Sequence, residues 1–98
     1  SQENAIAKAK SYLDYTGFSR QGLINQLEFE DFGTEDATFA VGHLEANREV
    51  DWNEQAVKKA KSYLDYTSFS LSGLVEQLES EGFTPSEAQY GANTAYEG

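Results

Sequence analysis

Cysteine and methionine are both missing from this 98-residue chain, and proline occurs once. The missing cysteine excludes a disulfide framework, a thiolate metal site and a cysteine nucleophile. No stretch is apolar and long enough to cross a bilayer, and the first residues do not have the pattern of a secretory signal. The chain begins with Ser1 rather than with methionine, so we expect a processed protein.

Positive charge is also scarce. The chain has seven Lys and Arg residues and seventeen Asp and Glu residues, which gives a formal net charge of −10 and a pI near 4.3. Such a chain repels DNA and anionic lipid and attracts basic partners, so we expect no nucleic-acid partner. Six Phe, six Tyr and one Trp favour a packed core over disorder.

An internal repeat organises the sequence. The block Ala9–Thr16 recurs letter for letter as Ala60–Thr67, and roughly half of all positions match without a gap between residues 5–45 and 56–96. We therefore predict a first unit at residues 1–47, a linker at 48–55 and a second unit at 56–98.

The first segment of each unit has the apolar spacing of a helix. Ala5, Ala9 and Leu13 fall on one stripe, and the second unit repeats the pattern after Asn53, a predicted N-cap.

The second and third helices of each unit are marked by capping residues. Ser19 and Ser70 are good N-caps for the second helices, and Gly82 suits the left-handed end of a Schellman motif. Thr84-Pro85-Ser86-Glu87 reads as an N-cap, a proline at the first helical position and a capping-box Glu. The sequence thus predicts an all-α fold, a tandem repeat of two small three-helix, helix-turn-helix-like units.

The helix-turn-helix shape does not by itself indicate DNA binding. A recognition helix needs basic or amide side chains near its start. The third helices begin with acidic segments instead, and no Lys or Arg follows Lys61.

Charge is segregated along each unit. All the lysines lie on the first helices: Lys8, Lys10, Lys58, Lys59 and Lys61. The second and third helices carry acids that we take as candidate partner-binding residues: Glu28, Glu30, Asp31, Glu76, Glu79, Glu81 and Glu87. They form either a docking surface for a basic segment or a solvated face that keeps the protein soluble, and composition favours neither reading.

Other chemistry has little support in the sequence. The acids are expected on exposed faces rather than in a cleft, no calcium-loop pattern occurs, and the single histidine, His43, is matched by Thr94. We expect no catalytic residue, no cofactor and no metal.

Three aromatic positions carry structural predictions. Tyr12 and Tyr63 are predicted in the core, and core packing is also favoured for Tyr15 and Tyr66. Trp52 is predicted to lie in the linker and to hold the two units together.

The duplicated block resembles a known repeat. Ala-Lys-Ser-Tyr-Leu-Asp-Tyr-Thr-x-Phe-Ser-x-x-Gly-Leu-x-x-Gln-Leu-Glu, followed by Gly-Phe-Thr-x-x-Glu-Ala, is similar to the repeat of the Ltp-type host cell surface-exposed lipoproteins of Gram-positive bacteria and their temperate phages. The resemblance covers nearly the whole chain.

The resemblance implies a function and a location. Family members are lipid-anchored on the outer face of the cytoplasmic membrane, and phage-encoded members block DNA injection by a second phage, which is superinfection exclusion. The implied partner is a phage tail protein, with the tape measure protein as the natural candidate. The signal and the lipidated cysteine of the family are not in this sequence, which we interpret as the module without its anchor. We expect a monomer.

Two other interpretations remain. An acidic protein of this kind could imitate the charge of DNA and inhibit a nucleic-acid-binding protein. Gly82-Phe83-Thr84 with Glu87-Ala88 is also similar to the first loop of ubiquitin-associated domains, although that loop joins the first two helices there and the last two here.

Overall fold

A computed structural model describes all residues, 1–98, and contains six α-helices and no strand. The helices are α1 Gln2–Tyr15, α2 Arg20–Phe29, α3 Thr34–Ala46, α4 Trp52–Tyr66, α5 Leu71–Ser80 and α6 Pro85–Glu97. Helices α1–α3 form the first repeat and α4–α6 the second, so the predicted all-α tandem of three-helix units is confirmed.

The start of α4 differs from the prediction. The N-cap is Asp51 rather than Asn53, because the Asp51 carboxylate accepts hydrogen bonds from the backbone amides of Asn53 and Glu54 at 2.9 and 3.3 Å. Trp52 is consequently the first residue of α4 rather than a linker residue. An aspartate at this position satisfies free amides and faces the positive end of the helix dipole, so it outcompetes the asparagine two residues later.

The second helices begin and end as their residues predict. The Ser19 and Ser70 hydroxyls accept from the amides three residues on, at 2.9 and 3.0 Å. At the end of α5, Gly82 has φ +102°, and the Phe83 amide reaches back to the Leu78 carbonyl at 3.2 Å. That bond completes the predicted Schellman motif.

The predicted capping box at the start of α6 is confirmed. The Glu87 amide donates to the Thr84 hydroxyl at 3.1 Å, while the Thr84 amide donates to the Glu87 carboxylate at 3.0 Å. Pro85 occupies the first helical position, where its missing N–H costs nothing.

Each repeat has its own small core. Ten buried residues form the first core, with Leu23, Leu27 and Leu44 fully enclosed. Eight form the second, in which alanines predominate. A β-carbon added at Gly91 would lie 2.6 Å from Ala56, so the absence of a side chain allows α4 and α6 to approach closely.

Trp52 joins the repeats at the linker. Its ring packs against the first core, and its indole N–H donates a 2.7 Å hydrogen bond to Glu45 at the end of α3. Since Trp52 begins the first helix of the second repeat, the prediction that it holds the two units together is confirmed.

A second contact joins the repeats away from the linker. The Phe18 amide donates to the Gln55 side chain at 3.0 Å, and the Ser19 hydroxyl donates to the Glu81 carbonyl at 2.6 Å. The Lys58 ammonium donates to the Leu13 carbonyl at 2.6 Å. The molecule measures 41 × 24 × 21 Å along its principal axes, with the two repeats in direct contact.

The prediction for the second tyrosine of each block is wrong. Tyr15 and Tyr66 are 85% and 88% exposed, whereas Tyr12 and Tyr63 lie half-buried against the cores. Tyr15 and Tyr66 are the last residues of α1 and α4, and neither ring packs against its repeat's core.

Candidate partner-binding surface

Two of the predicted acids accept hydrogen bonds from tyrosines of their own repeat. The Tyr12 hydroxyl donates to Glu30 at 2.5 Å, and the Tyr63 hydroxyl donates to Glu81 at 2.6 Å. Each pair joins the first helix of a repeat to the end of its second helix. The same two carboxylates lie near lysines of the first helices, at 3.8 Å from Lys8 and 3.9 Å from Lys59.

These hydrogen bonds change the titration of the tyrosines. The pKa of Tyr12 is raised above its ordinary value, chiefly because its hydroxyl donates to the Glu30 carboxylate. The pKa of Tyr63 is raised first by burial and then by the same bond to Glu81. Each effect favours the protonated phenol, which can donate where a phenolate could not.

Three further predicted acids have local structural roles. Glu28 accepts a 2.6 Å hydrogen bond from the Thr34 hydroxyl, and Glu87 closes the capping box of α6. Asp31 ends α2 in the left-handed conformation at φ 73°, where the second repeat has Gly82. Glu28 and Glu87 therefore serve the fold as well as the surface charge, whereas the Asp31 carboxylate has no ion pair or side-chain hydrogen bond.

The remaining two predicted acids, Glu76 and Glu79, are exposed on α5 and have no ion pair or side-chain hydrogen bond in the structure. Helices α5 and α6 contain no Lys or Arg, so no cation of their own offsets this charge. Unlike Asp31, Glu76 and Glu79 lie together on one helix without a cation of its own, so they form the pair most available to a basic partner.

A shallow groove of ≈ 590 Å³ runs between α5 and α6 beside Glu76. Its lining residues are Leu71, Ser72, Val75, Glu76, Gln89 and Asn93. Leu71 is 39% exposed and supplies apolar surface at the edge of this groove. The charge pattern did not indicate Leu71. Its signal in the sequence is an apolar residue at the first position of α5, where the first repeat has Arg20.

The equivalent groove of the first repeat is closed. Arg20 occupies the position of Leu71, and its guanidinium donates to Glu45 at 2.9 Å. Ile24, the counterpart of Val75, is only 6% exposed. The two repeats share a backbone but offer a partner different surfaces.

Glu45 is also held by the protein itself. Burial of this carboxylate acts to raise its pKa, but the hydrogen bonds from Arg20 and Trp52 outweigh that effect, so the pKa of Glu45 lies below its ordinary value. A cleft of ≈ 770 Å³ beside Trp52 is edged by Glu45, Glu49, Asp51 and Glu87 together with Arg48.

No group of three or more His, Cys, Asp or Glu side chains is arranged to hold a metal ion. None of the six helices combines the length and hydrophobicity needed to span a membrane.

Comparison with known proteins decides the family. The model of the host cell surface-exposed lipoprotein family, Lipoprotein_Ltp, matches residues 1–44 and again residues 51–94. The chain belongs to the Ltp lipoprotein family. The resemblance inferred from the duplicated block is confirmed, and the predicted cell-surface location is that of the Ltp lipoprotein family.

A solved structure has the same fold. It is that of Ltp, a superinfection exclusion protein from the Streptococcus thermophilus temperate phage TP-J34, which is 34% identical to this chain. The match covers 94% of this chain and 92% of that one, with a TM-score of 0.82. No curated protein sequence matches the chain significantly. The tandem arrangement of two repeats is therefore shared across nearly the full length of these two chains.

Proposed function

We propose that this chain is the exposed module of a superinfection-exclusion lipoprotein, which blocks DNA injection by an incoming phage at the outer face of the cell membrane. One observation carries the proposal: over nearly its whole length the chain has the fold, and a third of the residues, of a phage superinfection exclusion protein. An Ltp family model that matches both repeats supports the same conclusion.

The partner in this proposal is a basic segment of a phage tail protein, with the tape measure protein as the candidate. A net charge of −10 accelerates the approach of a basic segment and favours it over acidic competitors. The proposed contact is the groove between α5 and α6. Leu71 and Val75 would contact apolar residues of the segment, while Glu76 and Glu79 would pair with its Lys or Arg side chains.

The test separates adsorption from DNA entry. The module is displayed on sensitive cells through a lipid anchor, the cells are infected, and bound particles and internalised genomes are both counted. Normal adsorption with little internal DNA is the expected result. Unchanged DNA entry across a panel of related phages would exclude the proposed function and direct attention to inhibition of a nucleic-acid-binding protein inside the cell.

Matched charge reversals test the surface itself. The variant Glu76→Lys/Glu79→Lys alters the two available acids of α5 and should abolish protection. The control Asp14→Lys/Asp65→Lys makes the same change in net charge on exposed positions of α1 and α4. If the two variants lose protection equally, net charge matters and the α5–α6 surface does not.

The groove has a control in the first repeat. Leu71→Arg installs in the second repeat the residue found at the equivalent position of the first, so it should fold normally and lose binding. Arg20→Leu makes the reverse exchange and should leave binding by the second repeat intact.

A further inference from the structure

The contact between the repeats is head-to-tail. The first repeat contributes the loop between α1 and α2, which we call the donor loop, residues 17–19. The second repeat contributes an acceptor face, whose residues are Gln55, Lys58, Lys59, Glu81 and Gly82. The two sides use different parts of the repeat. The first repeat therefore has an acceptor-face equivalent that contacts no other repeat, and the second repeat has a donor-loop equivalent that contacts no other repeat.

Both unused surfaces are exposed hollows. The equivalent of the acceptor face on the first repeat is a hollow of ≈ 400 Å³ that includes Asn4, Ala7, Lys8 and Glu30. The equivalent of the donor loop is 68–70, beside a hollow of ≈ 380 Å³. A head-to-tail contact with a free surface at each end can in principle continue from one molecule to the next.

Glycine occurs on both sides of the internal contact. A β-carbon added at Gly17 would lie 2.8 Å from the Gln55 carbonyl oxygen and 2.9 Å from the Lys59 amide nitrogen. A β-carbon at Gly82 would lie 2.8 Å from the Ser19 hydroxyl oxygen. The first of these conflicts is with α4 backbone, which cannot move aside as a flexible side chain can.

The two free ends have larger residues at the same positions. The donor-loop equivalent has Ser68 in place of Gly17, and the acceptor-face equivalent has Asp31 in place of Gly82. Two hydrogen-bonding groups of the acceptor face are changed as well. Ala7 stands where Lys58 donates to a carbonyl, and Asn4 stands where the longer Gln55 reaches the Phe18 amide.

We propose that the two end surfaces are latent docking sites for a second copy of this chain, and that Ser68 and Asp31 keep them closed. Their β-carbons prevent the close approach that glycine permits inside the molecule, so the array ends at two repeats. The inference concerns self-association only and does not depend on the proposed function.

Two complementary variants test the proposal. The donor-open variant is Ser68→Gly. The acceptor-open variant combines Asp31→Gly with Asn4→Gln and Ala7→Lys, which restores the groups of the internal acceptor face. Each variant alone still has one closed surface, so each should remain a monomer of 10.9 kDa. Mixed together, they should form one-to-one pairs.

The measurement is the mass by analytical ultracentrifugation at high micromolar concentration, because the internal contact benefits from a covalent linker that two separate chains lack. An increase of about twofold in mass on mixing supports the proposal. Wild-type protein mixed with the acceptor-open variant is the control and should not pair. Unchanged mass on mixing, with helicity intact by circular dichroism, would overturn the proposal, and so would equal self-association of the wild type.

Discussion

The hydroxyl group of Tyr63 donates a 2.6 Å hydrogen bond to the carboxylate of Glu81 and so joins α4 to the end of α5. This acid therefore contributes to the fold as well as to the surface charge. Glu81→Ala should lower the free energy of unfolding by about 1 kcal/mol, a typical value for a lost hydrogen bond. Chemical denaturation measures the change. Glu79→Ala removes an unbonded acid two residues away and should change the free energy of unfolding by less than about 0.5 kcal/mol.

Tyr12 and Tyr63 should ionise late in an alkaline titration. The folded-state pKa values of Tyr12 and Tyr63 are raised, so their stabilising effect is complete below the ordinary tyrosine pKa and is lost as pH rises through the folded values. Ultraviolet absorbance should detect the ionisation of these two phenols as a late phase, above the ordinary tyrosine pKa. The double variant Tyr12→Phe/Tyr63→Phe should lack the late phase, and a late phase that persists would contradict the assignment.

Acid should weaken the contact made by Glu45. Its folded-state pKa is lowered, so its contribution is complete above the unfolded pKa and is lost as pH falls through the folded value. Glu45→Gln should lower the Tm at neutral pH, and the difference from wild type should shrink on acidification. A difference that stays constant with pH would show that the ionised carboxylate is not what Arg20 and Trp52 stabilise.

The internal contact between repeats should be sensitive to one methylene group. Gly17→Ser places a β-carbon against the α4 backbone, so the donor loop must separate from the second repeat. Small-angle scattering should show a larger radius of gyration for the variant than for the wild type, whose Cα atoms have a radius of gyration of 13.6 Å. Gly33→Ser is the matched control, since a β-carbon there meets nothing within 4 Å and serine is a good N-cap for α3.

Relief of the left-handed backbone at Asp31 should stabilise the first repeat. Asp31→Gly removes the conformational penalty at φ 73° and should raise the free energy of unfolding by about 1 kcal/mol. Thermal unfolding of the single variant measures this effect. Gly82→Asp is the reverse exchange and should destabilise by at least as much, because its β-carbon also meets Ser19.

Helix caps and the internal repeat, both readable in the sequence, predicted the fold well. The serine caps, the Schellman glycine and the capping box each depend on residues close in sequence, and a gap-free duplication fixed the architecture. The prediction for Tyr15 and Tyr66 was wrong because periodicity places a residue on a helix face without showing where the neighbouring helix lies.

The candidate surface was harder to predict than the fold. The acids were found by composition, but Glu30 and Glu81 bond tyrosines 18 residues earlier in the chain, and charge counting does not reveal such pairs. The exposure of Leu71 also depends on how α5 and α6 meet, which the repeat pattern does not specify. Glu76 and Glu79 remain as two neighbouring acids of α5 whose side chains make no bond within the fold.

The head-to-tail contact gives the molecule a direction. Because the donor loop and the acceptor face are different surfaces, no two-fold axis relates the repeats. Paired helix-turn-helix units that read palindromic DNA depend on such an axis, which presents the same face to both half-sites. A ligand bound in the same way by both repeats would therefore need a direction along its own length, as a polypeptide has from its N- to its C-terminus.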